Sequence, residues 1–193
     1  MSIKEFKIDN HGFINLVAVD PGTNYTGVAI LKVSLPDLKI IGIETILLDM
    51  FGMENRNVLG TDLQKRLEYV NHNFIKVLNY YKPYSVTIES PFINRFRPQA
   101  VIPLANLLWS LESASMMHNK YMIVNRFAPS TIKNKVGAKG GADKIGVLDA
   151  VLKMNEITSL INPLKLSEHE VDGIAIAYTQ LCLLRENGWL LLT

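Results

Sequence analysis

Runs of branched apolar residues alternate with turn signals early in the chain and predict three β-strands. Residues 14–19 form a short apolar run that ends at the turn sequence Asp20-Pro21-Gly22. Residues 26–33 and 38–48 are two further runs, separated by a second Pro-containing turn. Because turns this short join strands that lie side by side, we expect an antiparallel meander.

In the middle of the chain, two segments with apolar residues at helical spacing alternate with two more short apolar runs. Residues 61–81 and 99–118 place apolar side chains three and four positions apart, which predicts two amphipathic helices. A capping box of Thr61 and Gln64 begins the first of these helices. Residues 84–89 and 121–127 are short and apolar, as buried strands are.

The last third of the chain predicts helices alone. A short helix opens at Pro129, a glycine-rich stretch interrupts it at 137–141, and it resumes over 142–154. A final helix begins at a capping box of Ser167 and Glu170 and runs to about residue 186. Since strands separated by helices lie parallel to their neighbours, we expect an α/β fold. Its mixed five-stranded sheet has three antiparallel strands followed by parallel ones, flanked by helices.

Composition limits the class of protein. With 193 residues, 48% hydrophobic and 20% charged, the chain is expected to form one globular domain over 1–193. Its single cysteine, Cys182, excludes an intrachain disulfide and a cysteine zinc site. Residues 1–13 are polar and mixed in charge, unlike a signal peptide, and the longest apolar stretch is too short to cross a bilayer. We therefore expect a protein of the cytoplasm, neither secreted nor membrane-bound.

Positive charge is concentrated in one segment, although the net charge is only +2. Between Lys120 and Lys144 there are six lysine and arginine residues against one aspartate. Such a segment is either a solvated surface or a site for a polyanion.

Four residues could converge on one site. Asp20 and Glu89 end two predicted strands, and acids at adjacent strand ends meet at one edge of a sheet. His169 and Asp172 are three positions apart in the last helix and share a helix face. Three acids and a histidine are the residue types that hold two Mg²⁺ ions for phosphodiester hydrolysis.

Each of these residues also has an ordinary structural explanation when it is taken alone. Asp20 fits a common turn, and Glu89 fits an ordinary strand end. Asp172 complements the helix dipole, and a lone histidine is most often a satisfied surface or core residue. Glu170 is assigned to the capping box, while Glu168 remains a spare candidate nearer the rim.

Four sequence motifs, in order and at matching intervals, resemble the RuvC family of Holliday junction resolvases, which have a ribonuclease H-like fold. The likeness extends over roughly residues 16–180. The motifs are Val17-Ala18-Val19-Asp20-Pro21-Gly22-Thr23-Asn24-Tyr25-Thr26-Gly27, Thr87-Ile88-Glu89-Ser90-Pro91-Phe92, Ala128-Pro129-Ser130-Thr131-Ile132-Lys133 with Ala142-Asp143-Lys144, and Asp172-Gly173-Ile174-Ala175-Ile176-Ala177.

This resemblance implies a role for each residue. The four candidate ligands would hold two Mg²⁺ ions, with Mn²⁺ as a substitute, and Phe92 would stack on or wedge between bases at the junction centre. Lys133 and Lys144 would contact the scissile phosphate or its neighbours, and Lys144 is counted among the catalytic residues. Further DNA contacts are expected from the loop and the basic segment, at Arg95, Arg97, Lys135 and Lys139.

The chain departs from the family in three places. His169 stands where many relatives have aspartate, and imidazole suits manganese better than magnesium. Our hypothesis is that His169 orients or deprotonates the attacking water, or favours manganese. The helix of the family's dimer interface usually carries glycines, whereas Leu107-Leu108-Trp109 is bulky, and residues 1–13 form an extension without a counterpart.

The resemblance predicts a homodimeric nuclease that cuts four-way DNA junctions in a bacterium or a phage-infected cell. Its paired nicks would leave 5′-phosphate and 3′-hydroxyl ends. The alternatives are a related nuclease acting on flaps, forks or RNA–DNA hybrids, and a junction-binding protein without catalysis. An actin-like ATPase is a more distant alternative, because Asp20-Pro21-Gly22-Thr23 also resembles its phosphate-binding turn.

Overall fold

A five-stranded mixed sheet forms the centre of the protein. The computed structural model describes residues 12–35, 37–50, 62–91, 101–138 and 144–187, and of Lys144 it describes the backbone alone. The strand order is β3-β2-β1-β4-β5, in which β1, β2 and β3 are antiparallel and β4 runs parallel to both β1 and β5. The predicted sheet is therefore confirmed. Its strands are β1 Phe13–Asp20, β2 Tyr25–Ser34, β3 Ile40–Asp49, β4 Ser85–Glu89 and β5 Ile123–Phe127.

Helices pack on both faces of this sheet. None of the described helices is long and apolar enough to span a membrane. A 3₁₀ turn at Pro163–Lys165, capped by the side chain of Asn162, precedes the last helix. The helices are α1 Asp62–Tyr81, α2 Val101–His118, α3 Pro129–Lys135, α4 Lys144–Leu152, α5 Asn155–Thr158 and α6 Glu168–Asn187.

Several predicted boundaries were wrong by one or two residues. β3 begins at Ile40 because Leu38 adopts a left-handed conformation, with φ at 52°, that a strand does not accommodate. The predicted helix through Met154 ends at Leu152, and a separate turn of helix follows. Phe13, assigned to an N-terminal extension, is the first residue of β1. The predicted cap at Thr61 lies outside the described residues.

Alternation along the strands produces two apolar cores. Leu16 and Ala18 of β1 face a core shared with α3, α4, α5 and α6. Val17 and Val19 face the other side, where α1 and α2 cover the sheet. This alternation is the two-residue period of a strand that is buried on both faces.

Two glycines allow α6 to lie close to the sheet. A Cβ atom on Gly27 of β2 would stand 2.0 Å from the carbonyl oxygen of His169, far inside contact distance. A Cβ atom on Gly173 would stand 3.3 Å from the Cβ of Ala29. The first turn of α6 is therefore seated on β2 through backbone atoms.

Gly27→Ala should displace the first turn of α6. Because the added methyl overlaps a backbone carbonyl, we expect the free energy of unfolding to fall by about 1–3 kcal/mol, measured by chemical denaturation. Gly42→Ala is the matched control, since its Cβ would meet Lys32 at an ordinary 3.5 Å. Equal midpoints for the two variants would contradict this account of the contact.

Candidate active site

Two strand ends place acids side by side at one edge of the sheet. β1 and β4 are parallel, with Val19 opposite Ile88, so Asp20 and Glu89 follow at the same level. The edge continues into β5, because Glu89 pairs with Phe127. The convergence predicted from the sequence is therefore present in the structure.

The first turn of α6 is fixed above this edge by the predicted capping box. The Ser167 amide donates to the Glu170 carboxylate at 2.9 Å, and the Glu170 amide donates to the Ser167 hydroxyl at 3.3 Å. The hydroxyl of Thr45 on β3 donates to the other carboxylate oxygen at 2.8 Å. Glu170 therefore has the structural role predicted for it, and in addition ties α6 to the sheet.

A pocket of about 350 Å³ brings the candidate residues together. All four predicted ligands line it, together with Lys133, one of the two lysines predicted to contact the scissile phosphate or its neighbours. The rest of its wall is apolar and comes from α3, α4 and α6. The lining residues are Asp20, Glu89, Pro129, Ile132, Lys133, Val147, His169, Asp172 and Ile176.

Asp20 is at the centre of the polar contacts. It is 8% exposed, and its Oδ2 lies 2.6 Å from Nδ1 of His169. An ionised carboxylate can only accept, so in this contact Nδ1 carries the proton. In neutral His169 the lone pair then belongs to Nε2, which lies 3.7 Å from the carboxylate of Glu168. Glu168 thus lies at the rim, as expected from the sequence, and its side chain is half exposed.

Burial, together with neighbouring acids, keeps a proton on Glu89 by raising its pKa. Burial, followed by the charges of Asp20 and Asp172 and a hydrogen bond with Asp20, raises the pKa of Glu89 from an ordinary 4.5 to about 8. The ammonium group of Lys133 opposes this shift. The pocket thus holds more carboxylate than its surroundings neutralise.

This excess of carboxylate fits a divalent cation. Hard cations such as Mg²⁺ take carboxylate oxygens, and binding would replace the proton on Glu89. In the described part of the chain, no three His, Cys, Asp or Glu side chains are already arranged to hold a metal ion. Asp20 contacts His169 and shares a hydrogen bond with Glu89.

The predicted DNA-contacting residues are distributed differently. Lys133 lines the pocket, whereas Lys135 pairs with Glu186 at 2.5 Å, near the far end of α6. Glu186 is 14 residues after Asp172, which is roughly 21 Å along a helix. The side chain of Lys144 lies outside the described residues, as do Phe92, Arg95, Arg97 and Lys139.

Sequence reasoning missed one polar neighbour of the site. The ring of Tyr25 stacks on His169, with centroids 5.7 Å apart and an interplanar angle of 28°. Tyr25 is the first residue of β2, and no local pattern links it to a histidine 144 positions later. The apolar wall from α3 and α4 was missed for the same reason, since helix packing sets it.

Glu89→Gln should change how stability depends on pH in metal-free protein. The folded chain keeps the Glu89 proton up to about pH 8, whereas the unfolded chain loses it near 4.5, so this stabilisation is lost as the pH rises between those values. We expect denaturation midpoints of the wild type to fall more than those of Glu89→Gln over that window. Glu68→Gln, which removes an exposed acid outside the pocket, is the control. Parallel pH profiles for wild type and Glu89→Gln would show that the pKa of Glu89 is not raised in the folded chain.

Comparison with known proteins relates this site to a family. The family model of crossover junction endodeoxyribonuclease RuvC matches residues 16–180. A Dehalococcoides mccartyi protein named crossover junction endodeoxyribonuclease RuvC is 22% identical over 165 residues, covering 85% of this chain and 90% of that protein. A Rickettsia bellii protein of the same name is 27% identical over 173 residues, covering 89% and 98%.

The fold agrees with this relationship. The structure of Thermus thermophilus RuvC in complex with a Holliday junction substrate is similar with a TM-score of 0.70, at 18% identity. The similarity covers 91% of this chain and 97% of that one. The sheet and its helices thus have the ribonuclease H-like architecture expected from the sequence. With a family model matching most of its length, the chain belongs to the RuvC family of crossover junction endodeoxyribonucleases.

Proposed function

We propose that this protein is a Holliday junction resolvase that hydrolyses phosphodiester bonds with divalent metal ions. The observation that supports it best is the pocket in which three acids, one histidine and Lys133 meet at the sheet edge of a RuvC-family chain. The named relatives are endodeoxyribonucleases, and the Thermus protein was solved with junction DNA. Paired nicks in strands of like polarity would leave 5′-phosphate and 3′-hydroxyl ends.

The metal centre would consist of two Mg²⁺ ions held by Asp20, Glu89, Asp172 and His169. When bound, such ions neutralise charge on the attacking and leaving oxygens of the phosphodiester. Asp20, which contacts His169 and shares a hydrogen bond with Glu89, would be one of the carboxylates that hold these ions. The imidazole at His169 favours tolerance of Mn²⁺.

DNA contacts would begin at Lys133, which lies in the pocket beside Glu89. An ammonium group there neutralises phosphate charge without supplying sequence information. Lys144 would act beside it, and the family resemblance assigns junction contacts to Phe92, Arg95 and Arg97. In the basic segment, the family resemblance also assigns a DNA contact to Lys139, and Lys135 would have to exchange Glu186 for phosphate.

A homodimer would supply the second active site that paired nicking requires. The sheet face opposite α6 carries a groove of about 430 Å³ between α1 and α2. Trp109, which lines it, is 71% exposed, and Met117 is 87% exposed. Apolar side chains this exposed are typical of a protein interface.

The bulky stretch of α2 is compatible with this interface. Leu107 and Leu108 are each 1% exposed and face the sheet, so neither obstructs a partner. Beside Trp109, the groove is lined by Ser110, Ser113 and Ala114, which are small. These small residues would allow a second helix to approach beside Trp109, while Ile75, Met117 and His118 line other parts of the groove.

Asp172→Asn should abolish cleavage of a four-way junction. The variant removes a carboxylate charge with almost no change in volume, and we expect the rate to fall by at least about 100-fold, more than is typical for residues outside the ligand shell. Gel assays with Mg²⁺ or Mn²⁺ should compare an immobile junction with duplex, flap, fork and RNA–DNA hybrid substrates. Junction binding by the variant, measured by mobility shift, should persist.

Asp149→Asn on the exposed side of α4 is the matched control and should cut normally. Activity surviving in Asp172→Asn would remove the metal-site proposal. If the wild type cut flaps or hybrids in preference to junctions, the proposed substrate would be wrong. If it bound junctions without cutting them in either metal, the protein would be a junction-binding protein and not a nuclease.

Trp109→Asp should convert the dimer to a monomer. A charge in the centre of the groove should weaken association by about 2 kcal/mol or more, roughly thirtyfold, as for a buried aromatic anchor. Analytical ultracentrifugation measures the change. Leu164→Asp, at a 68% exposed apolar position on the α6 side, is the control and should leave the mass unchanged. A dimeric Trp109→Asp protein would rule out this surface.

A further inference from the structure

We infer that Tyr25 is a positioning residue for His169, holding the plane of its imidazole ring in the active site; the inference rests on the proposed function. The ring of Tyr25 stacks on the ring of His169 at a centroid distance of 5.7 Å and an angle of 28°. Offset stacking at this separation is a favourable arrangement of two flat side chains. Tyr25 is not among the residues that line the pocket, so it acts through His169.

The imidazole ring needs such a contact because its own torsion does not fix it. The χ2 torsion of histidine is broad, so the backbone position alone leaves the ring plane free to turn. In this protein the backbone of His169 is fixed by its contact with Gly27. The ring is then held at one edge by Asp20 and on one face by Tyr25.

These two contacts have different consequences for a metal centre. Asp20 is itself a proposed cation ligand, so its hydrogen bond with Nδ1 of His169 would change if its carboxylate oxygens bound a cation. Tyr25 contacts the ring face, which carries neither of the nitrogen lone pairs that a cation could bind. Stacking therefore holds the plane in which Nε2 lies, and it does so without using any oxygen of Asp20.

The turn that supports Tyr25 is firmly held, as a positioning residue requires. Its neighbour Asn24 accepts a hydrogen bond from the Met50 amide at 3.0 Å and another from Arg66 of α1. The hydroxyl of Thr26 donates to the Gly22 carbonyl at 2.8 Å, closing the turn after Asp20. Strand β3 and helix α1 thus fix the place from which the Tyr25 ring meets His169.

Substituting the aromatic ring separates positioning from simple packing. Tyr25→Leu keeps an apolar side chain without a ring face, whereas Tyr25→Phe keeps the face and loses the hydroxyl. We expect Tyr25→Leu to weaken Mn²⁺ binding to the DNA-free chain roughly 10- to 100-fold, as losses at partners of metal-ligating histidines do. Tyr25→Phe should bind Mn²⁺ as the wild type does, with both followed by electron paramagnetic resonance.

Two further readouts make the result specific to His169. In metal-free protein, the ring-current shifts of the His169 protons should persist in Tyr25→Phe and disappear in Tyr25→Leu. In junction cleavage, Tyr25→Leu should lower kcat and leave KM unchanged. Combined with His169→Ala, Tyr25→Leu should cause no further loss of Mn²⁺ affinity, because the residue it positions is gone.

Folding and the proposed function are controlled separately. Denaturation midpoints show whether Tyr25→Leu is folded, and Tyr25→Met provides a second side chain without a ring if it is not. Wild-type Mn²⁺ affinity in these variants, or losses that add to that of His169→Ala, would overturn the inference. A wild-type chain that neither binds Mn²⁺ nor cuts a junction would instead overturn the proposed function.

Discussion

The backbone contact between Gly27 and His169 is the constraint on which the active site depends. It brings the first turn of α6 against β2 at a separation that excludes even a methyl group. Since β2 pairs with β1 from Asp20↔Gly27 onward, the same contact sets His169 and Asp172 above the strand that ends in Asp20. The capping box adds a second attachment, through Glu170 to Thr45 of β3. Two proposed ligands on a helix and two on strands thus share one pocket, and backbone rather than side chain fills the space between α6 and β2.

The site that results is electrostatically unfavourable without a cation. Asp20 is almost buried, and Glu89 beside it retains a proton to about pH 8. These acids lower the free energy of unfolding of the metal-free protein, because buried carboxylates close to one another ionise unfavourably. The surrounding fold supplies the rigidity, since both cores are apolar and extend across the whole sheet. The electrostatic cost of these buried acids is what a site suited to binding a cation, rather than to stabilising the fold, would carry.

Local signals predicted the architecture and the acids, and failed where distant segments meet. Branched runs, turn residues and capping boxes gave the five strands and the main helices, since each is a property of a few neighbouring residues. Asp20 and Glu89 were candidates because acids at adjacent strand ends can meet, and the spacing of the family motifs distinguished them from ordinary turn and strand-end acids. Leu38 escaped prediction because its left-handed conformation has no signature in an apolar residue. Tyr25 escaped because its meeting with His169 arises from the seating of α6, which no periodicity encodes.

The two faces of the sheet carry different features, and this separation bears on the proposed dimer. Helix α6 and the pocket lie on one side, where Gly27 and Gly173 enforce tight packing. The exposed apolar groove lies on the other side, between α1 and α2. A partner bound there would contact neither α6 nor its capping box, so association need not distort the ligands. Yet α1 also reaches the active-site turn, through the hydrogen bond from Arg66 to Asn24. Helix α1 therefore touches both the groove and the turn after Asp20, and would connect the proposed dimer interface to the candidate active site.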